Sequence, residues 1–312
     1  MKEERPIVVY GAIAANFVIA VSKYVVAFIT GSSAMLSEAL HSTADTGNEL
    51  LLLLGLHQSR KPPDKMHPVG HGRELYFWSL IVAILLFGLG AGMSFYEGVV
   101  SLIHPVELKS PIWNYVVLGV AFVAESISWT LAFRKLSKER EHDESFWQTL
   151  RRSKDPSAFV VFGEDTAALA GLMVAFGGIF LGEQLQSHYP DAVASMIIGL
   201  ILAVVAIFLA YESKSLLIGE TADLELISGV EHMVREHAAV EDMRRPLAVQ
   251  LGVNDIFLAL DVQFKPHLSS AKLIDVVDEL EKNIRREHKS VKQIFIETER
   301  LKKAREKSSQ LQ

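Results

Sequence analysis

Two uncharged apolar runs constrain this chain more than any other feature. Leu75 to Tyr96 is 22 residues without an Asp, Glu, Lys or Arg, and Ala192 to Tyr211 is another 20. A bilayer core takes about 20 apolar residues as a helix. Two buried helices of a soluble domain would need much shorter runs. The chain therefore reads as an α-helical integral membrane protein. Its composition agrees, with 50% hydrophobic against 22% charged residues. There is no cysteine, which excludes disulfides, thiolate metal sites and thiol catalysis. The net charge of −6 offers no basic field for nucleic acid.

Six spans can be drawn: 6–30, 32–56, 75–103, 112–133, 157–182 and 192–211. The charged start Met1 to Pro6 runs into the first apolar stretch without a small-residue cleavage site, so that stretch reads as a span and not as a signal peptide. Gly31 joins the first two spans as a tight hairpin. With six spans both termini share one side, together with loops 57–74 and 134–156. Thirteen Lys and Arg fall on that side outside the C-terminal region, against Lys109 alone on the other. The positive-inside bias then places the termini in the cytoplasm. A multi-pass protein of the bacterial inner membrane is the expected setting, with an organellar membrane as the alternative.

After residue 213 the composition turns soluble, with sixteen Lys and Arg and seventeen Asp and Glu. Leu224–Ala238 and Ser270–Arg286 carry helical apolar spacing. Residues 246–251, 256–264 and 291–296 read as strands, with a turn at Val253-Asn254-Asp255. The order predicts a small α+β layer with an antiparallel or mixed sheet. The expected division is 1–212 for the transmembrane domain, 213–299 for the α+β domain and 300–312 for a polar tail.

Ionisable groups at membrane depth are costly and are functional candidates by default. The second span concentrates them. Glu38, His41, Asp45, Asn48 and Glu49 fall within a sector about 100° wide on a helix. His41 and Asp45 are one turn apart, so an imidazole and a carboxylate can converge on one ion. The fifth span adds Glu164 and Asp165. An N,O donor set of this kind suits zinc, iron(II), manganese or cobalt, and does not select copper(I). The bland reading of these groups is interhelical hydrogen bonding, or, for Glu38 and Glu49, a place at water-exposed helix ends. Lys23, Glu97 and Glu125 read as snorkelling groups or structural ion pairs. The loop 60–74 places Asp64, His67 and His71 three and four residues apart. They form either a second metal site or a turn whose histidines cap the third span. The string Gly88-Leu-Gly-Ala-Gly92 fits close helix packing.

The segment Gly31-Ser-Ser-Ala-Met-Leu-Ser-Glu-Ala-Leu-His-Ser-Thr-Ala-Asp45, followed by His67-Pro-Val-Gly-His-Gly-Arg-Glu74, resembles the cation diffusion facilitator family. The strings Ser153-Lys-Asp-Pro156 and Glu164-Asp-Thr-Ala-Ala168 are similar to its zinc-transporter-nine-like branch. The resemblance implies a homodimeric, proton-coupled exporter of zinc or a related divalent ion, without an organic cofactor. It implies a ferredoxin-like, metallochaperone-like C-terminal domain. By position it assigns His41, Asp45 and Asp165 to the transport site, and Asp64, His67 and His71 to a loop site. The family's histidine four residues before Asp165 is Val161 here, which leaves Glu164 as the candidate replacement. The C-terminal histidines, His232, His237, His267 and His288, read as surface residues and not as a metal site.

The expected mechanism is exchange of a divalent cation for protons through a mid-membrane site between spans two and five. His41 suits it, because neutral imidazole binds metal and imidazolium does not. The rival readings are a membrane scaffold or regulator with a degenerate metal site, a channel, and an intramembrane metalloprotease. The last would carry His-Glu-x-x-His, which the sequence lacks.

Overall fold

The computed structural model describes residues 6–105, 112–138 and 145–298. The polar tail expected over 300–312 lies outside them. The chain divides into two compact units. One comprises Met1–Gln58 and Glu74–Lys214, the other Ser59–Arg73 and Ser215–Gln312. The loop 59–73, drawn with the membrane part from the sequence, thus groups with the C-terminal residues.

The first unit is a helical bundle. Its helices are α1 (Pro6–Thr30), α2 (Ser33–Ser59), α3 (Glu74–Ile103), α4 (Ile112–Lys138), the short α5 (Phe146–Arg152), α6 (Pro156–Leu185) and α7 (Tyr189–Ile218). Four of them, α3, α4, α6 and α7, are long and apolar enough to cross a bilayer. In α1, Asn16–Thr30 is a shorter apolar stretch. The polar α2 turns Ser37, Glu38, His41, Ser42 and Asn48 inward, all buried. A helix with so many hydrogen-bonding side chains is stable in a bundle only when they face protein. The outward residues are apolar: Phe28, Val120, Leu131, Val204 and Ile207 are all exposed.

Each boundary has a local cause. Gly31 joins α1 to α2 at φ +74°, a left-handed conformation that a side chain would strain. Asp155 caps α6 by accepting from the Ser157 amide, and Pro156 occupies the first helical position. The string 88–92, expected at a close helix contact, lies in a π-helical segment spanning Leu86–Gly92 within α3, where a Cβ on Gly90 would meet Leu202 of α7 at 3.5 Å. A Cβ on Gly88 would meet nothing within 4 Å. The close crossing between α3 and α7 begins in that string, where a Cβ on Gly199 would come within 2.9 Å of the Ala91 carbonyl, and continues beyond it. A Cβ on Gly98 would come within 2.5 Å of Met196, and one on Gly199 within 2.7 Å of the Phe95 amide.

Asp191, in the first turn of α7, caps a different helix. Its carboxylate accepts from the Ser32 hydroxyl at 2.6 Å, the Ser33 amide at 2.6 Å, the Ser33 hydroxyl at 2.9 Å and the Ala34 amide at 3.3 Å. These groups satisfy the open N-terminal turn of α2, and the negative charge complements its dipole. Ser37 and Ser195 share a short hydrogen bond one turn deeper, and Ser195 donates to the Ser94 carbonyl. Removing a buried acceptor costs about 1–3 kcal/mol per orphaned donor. Asp191→Ala is therefore expected to melt well below wild type in detergent. Asp191→Asn, which keeps one accepting oxygen, should fall between them. An unchanged melting temperature for Asp191→Ala would refute this role.

The second unit runs α8 (Leu224–Arg235), β1 (Val240–Met243), β2 (Leu247–Gly252), β3 (Asp255–Phe264), α9 (Ser270–Glu287) and β4 (Val291–Thr298). The ten-residue β3 is the centre of a mixed sheet. β1 and β2 pair antiparallel with its two ends, and β4 pairs parallel with it. Even-numbered residues Ile256 to Val262 of β3 point into a core with Ile227, Val230, Val234, Leu280 and Ile284. Asp223 and Ser269 cap α8 and α9. The strand β1 is absent from the sequence reading, because its centre is Glu241-Asp242. The loop seats on the β2–β3 turn within this unit. A Cβ on Gly72 would come within 2.5 Å of the Leu251 carbonyl, so only glycine permits the approach.

Candidate metal centres

The α2 groups lie at helical spacing on the buried side. His41 is fully buried and its Nδ1 is 3.3 Å from Asp45 Oδ1. Neither imidazole nitrogen of His41 has a hydrogen-bond partner, nor does Asp45 Oδ1. Orphaned buried polar atoms are uncommon and mark ligand positions or strain. On α6, Glu164 accepts from the Asn48 amide nitrogen at 2.5 Å. Asp165 accepts from the Ser128 hydroxyl of α4 at 2.7 Å. Asp45 lies within electrostatic range of Glu164, Asp165 and Glu125. Among the described residues, the four predicted transport residues do not close into a cluster with ligand atoms within 4.8 Å of one another. They stand as two pairs, one on each helix, with Asn48 reaching across from α2 to α6. Val161 offers no donor on α6.

Of the two readings of Lys23, the structure bears out the structural ion pair and not snorkelling, and it supplies partners that the sequence leaves unnamed. Lys23 is fully buried and pairs with Glu38 at 3.0 Å while donating to Ser42 at 2.7 Å. Asn16 donates to Glu49 at 2.9 Å. A signal for both was available. In a tight antiparallel hairpin, residues equally far from the turn lie at equal depth. Lys23 precedes Gly31 by about as many residues as Glu38 follows it.

The loop forms a compact donor set. Asp64 Oδ1 accepts from the amides of Met66 at 2.8 Å and His67 at 2.7 Å. His67 Nδ1 lies 3.3 Å from Asp64 Oδ1, and His71 Nε2 lies 3.1 Å from Oδ2. The rings are 4.2 Å apart at their centroids. Among the described residues, Asp64, His67 and His71 are the one trio whose ligand atoms fall within 4.8 Å. Two imidazoles and a carboxylate suit tetrahedral zinc with one open position. The His67 amide bond, followed by the His71 contact, holds the Asp64 carboxyl down at about 2. Asp64 thus stays ionised as pH falls from neutral until about pH 2. Loss of a bound metal in mild acid falls to the imidazoles, which bind only when neutral. Asp64→Ala is expected to bind one zinc fewer than wild type by equilibrium dialysis. Equal stoichiometry in the two proteins would refute the loop site.

The Cation efflux transmembrane domain family matches residues 9–218. The chain is similar to the mitochondrial proton-coupled zinc antiporter SLC30A9 of Xenopus laevis, with 33% identity over 250 residues, covering 80% of this chain and 45% of the relative. The human SLC30A9 is 31% identical over 272 residues, covering 87% and 48%. Metal tolerance protein C4 of Arabidopsis thaliana is 31% identical over 253 residues, covering 80% and 55%. The chain spans about half the length of the curated relatives it matches. With the family match running from α1 through α7 and SLC30A9 proteins aligned over most of its length, this multi-pass membrane protein belongs to the cation efflux family, the cation diffusion facilitators, in the branch that resembles SLC30A9.

Proposed function

We propose that this protein is a secondary transporter that moves a divalent metal cation, zinc first, out of the cytoplasm in exchange for protons. The family consists of transporters and not enzymes. The observation that carries the reading is the pair His41, buried, and Asp45, half-buried, on α2, whose facing atoms lack hydrogen bonds and which lies in electrostatic range of Glu164 and Asp165 on α6. Such groups raise the free energy of the empty protein and are satisfied by a cation or by protons. Only one kind of occupant fits at a time, which is the requirement for exchange. The metal would draw the α2 and α6 pairs together, and protons would let them part.

In this reading α1 and α2 cross the bilayer with the four apolar helices, giving six spans. The bias of Lys and Arg supports cytoplasmic termini and a bacterial inner membrane. The relatives named mitochondrial make an organellar membrane the alternative. The strand and helix order of the second unit supports a ferredoxin-like domain, and the family resemblance supports a homodimer. Asp64, His67 and His71 would hold a separate zinc on the loop.

Purified protein in liposomes tests the proposal, with zinc uptake and internal pH recorded together. Zinc movement with opposite proton movement is the expected result. Zinc flux without proton movement would replace the antiporter with a channel. No flux of zinc, iron, manganese or cobalt would favour the scaffold reading, in which Val161 marks a degenerate site.

A further inference from the structure

We infer that Asn48 is a metal ligand, the third on α2, and that its amide oxygen sets the site's preference towards oxygen-seeking divalent cations. This rests on the transport reading of the same site. His41, Asp45 and Asn48 stand at positions i, i+4 and i+7, within about 60° of one another around the helix. Asn48 is 1% exposed. Its amide nitrogen is engaged with Glu164 on α6, whereas its amide oxygen has no partner.

A side chain needed only to clip Glu164 in place could be any donor. Asparagine brings an acceptor as well, and here that acceptor is buried and unspent. The bond to Glu164 holds the amide beside one candidate ligand, and the helix repeat keeps it on the face of the other two. Its free oxygen therefore belongs to the same polar interior as His41 and Asp45.

The consequence is chemical. Val161 offers no donor on α6, and Asn48 supplies an oxygen from α2. The resulting donor set is one nitrogen with otherwise carboxylate and amide oxygens. Carbonyl and carboxylate oxygen suit manganese and other hard cations, whereas imidazole suits zinc. Asn48 thereby widens the range of the site from zinc towards manganese.

The test compares zinc and manganese in wild type, Asn48→Leu, Asn48→Ser and Asn48→His, all carrying Asp64→Ala to silence the loop. Equilibrium dialysis of purified protein gives the two dissociation constants, and proteoliposome flux gives the two transport KM values. Melting in detergent identifies folded variants, and Asn48→Ser keeps a small donor should leucine not be accommodated. Asn48→Leu and Asn48→Ser should weaken manganese more than zinc, and Asn48→His should favour zinc, each by about tenfold in the ratio. Equal weakening of both metals, with the wild-type ratio retained, would make Asn48 a clip on Glu164 and overturn the inference. So would a wild type that binds neither metal. Binding with the expected shift but no flux would overturn the transport reading and leave the ligand in place.

Discussion

Asp45→Ala is expected to lower metal flux in proteoliposomes by about a hundredfold or more, since even supporting residues of metal sites cost 10–100-fold. It is also expected to leave the protein at least as stable as before. Asp45 Oδ1 makes no hydrogen bond, and the carboxyl sits in range of Glu164, Asp165 and Glu125. Removing it gives up only the 3.3 Å contact with His41 Nδ1 and takes one carboxyl away from three others. Lost function with retained or raised melting temperature is the signature of a residue kept for its ligand and not for the fold. Wild-type flux in Asp45→Ala would remove it from the transport path. A clear drop in melting temperature would make it structural.

Lys23→Met is expected to do the reverse, acting first on the fold. Lys23 joins α1 to α2 through Glu38 and Ser42, with no solvent access. Taking away one partner of a buried ion pair costs about 3–5 kcal/mol, because the other charge stays behind unpaired. Glu38 has little freedom to turn elsewhere. Its second oxygen faces Gly171 of α6, where any added Cβ would collide with it. Adding Glu38→Gln should recover much of the loss, since the neutral amide needs no counter-charge. A double-mutant cycle read by melting in detergent measures the coupling. If Lys23→Met melts like wild type, or if Glu38→Gln adds to the damage, the pair is not what holds α1 against α2.

These two side chains show where sequence reasoning reaches its limit. His41 and Asp45 were legible because they share one helix, where spacing alone fixes which side chains are neighbours. Asp64, His67 and His71 were legible for a similar reason, being held in one short loop. Lys23 with Glu38, Asn48 with Glu164, and Asp191 with Ser32 and Ser33 each join different helices. Their pairing depends on the rotation and height of two cylinders packed together. Asp191 was harder still, because it sits just before the uncharged run that marks α7 and serves as cap to a helix about 160 residues earlier.

Helix ends shifted in a consistent direction. The charges after Phe133 predict that the fourth span ends there, yet α4 continues to Lys138. The uncharged run predicts a sixth span from Ala192 to Tyr211, yet α7 runs from Tyr189 to Ile218. Apolar runs report the thickness of hydrocarbon, whereas a helix ends where its backbone finds other hydrogen-bond partners. In the second unit β1 went unseen because Glu241 and Asp242 give no alternating apolar pattern. It forms because the far end of β3 presents an open edge that residues 240–243 can pair with.

The sequence by itself determined that this is a helical membrane protein with a polar helix inside it and a small α+β unit at its C-terminal end. Apolar run length, charge asymmetry and helical period are local properties, and each is set by solvent and backbone geometry. Only the tertiary structure decided which polar groups are spent on holding the bundle and which are left free. Lys23 and Asp191 are satisfied by partners on other helices, and Glu38 through one of its two oxygens, while the His41 nitrogens, Asp45 Oδ1 and the Asn48 oxygen are not. That difference is fixed by packing across helices, because a buried side chain's hydrogen bonds depend on what the rest of the fold brings to it.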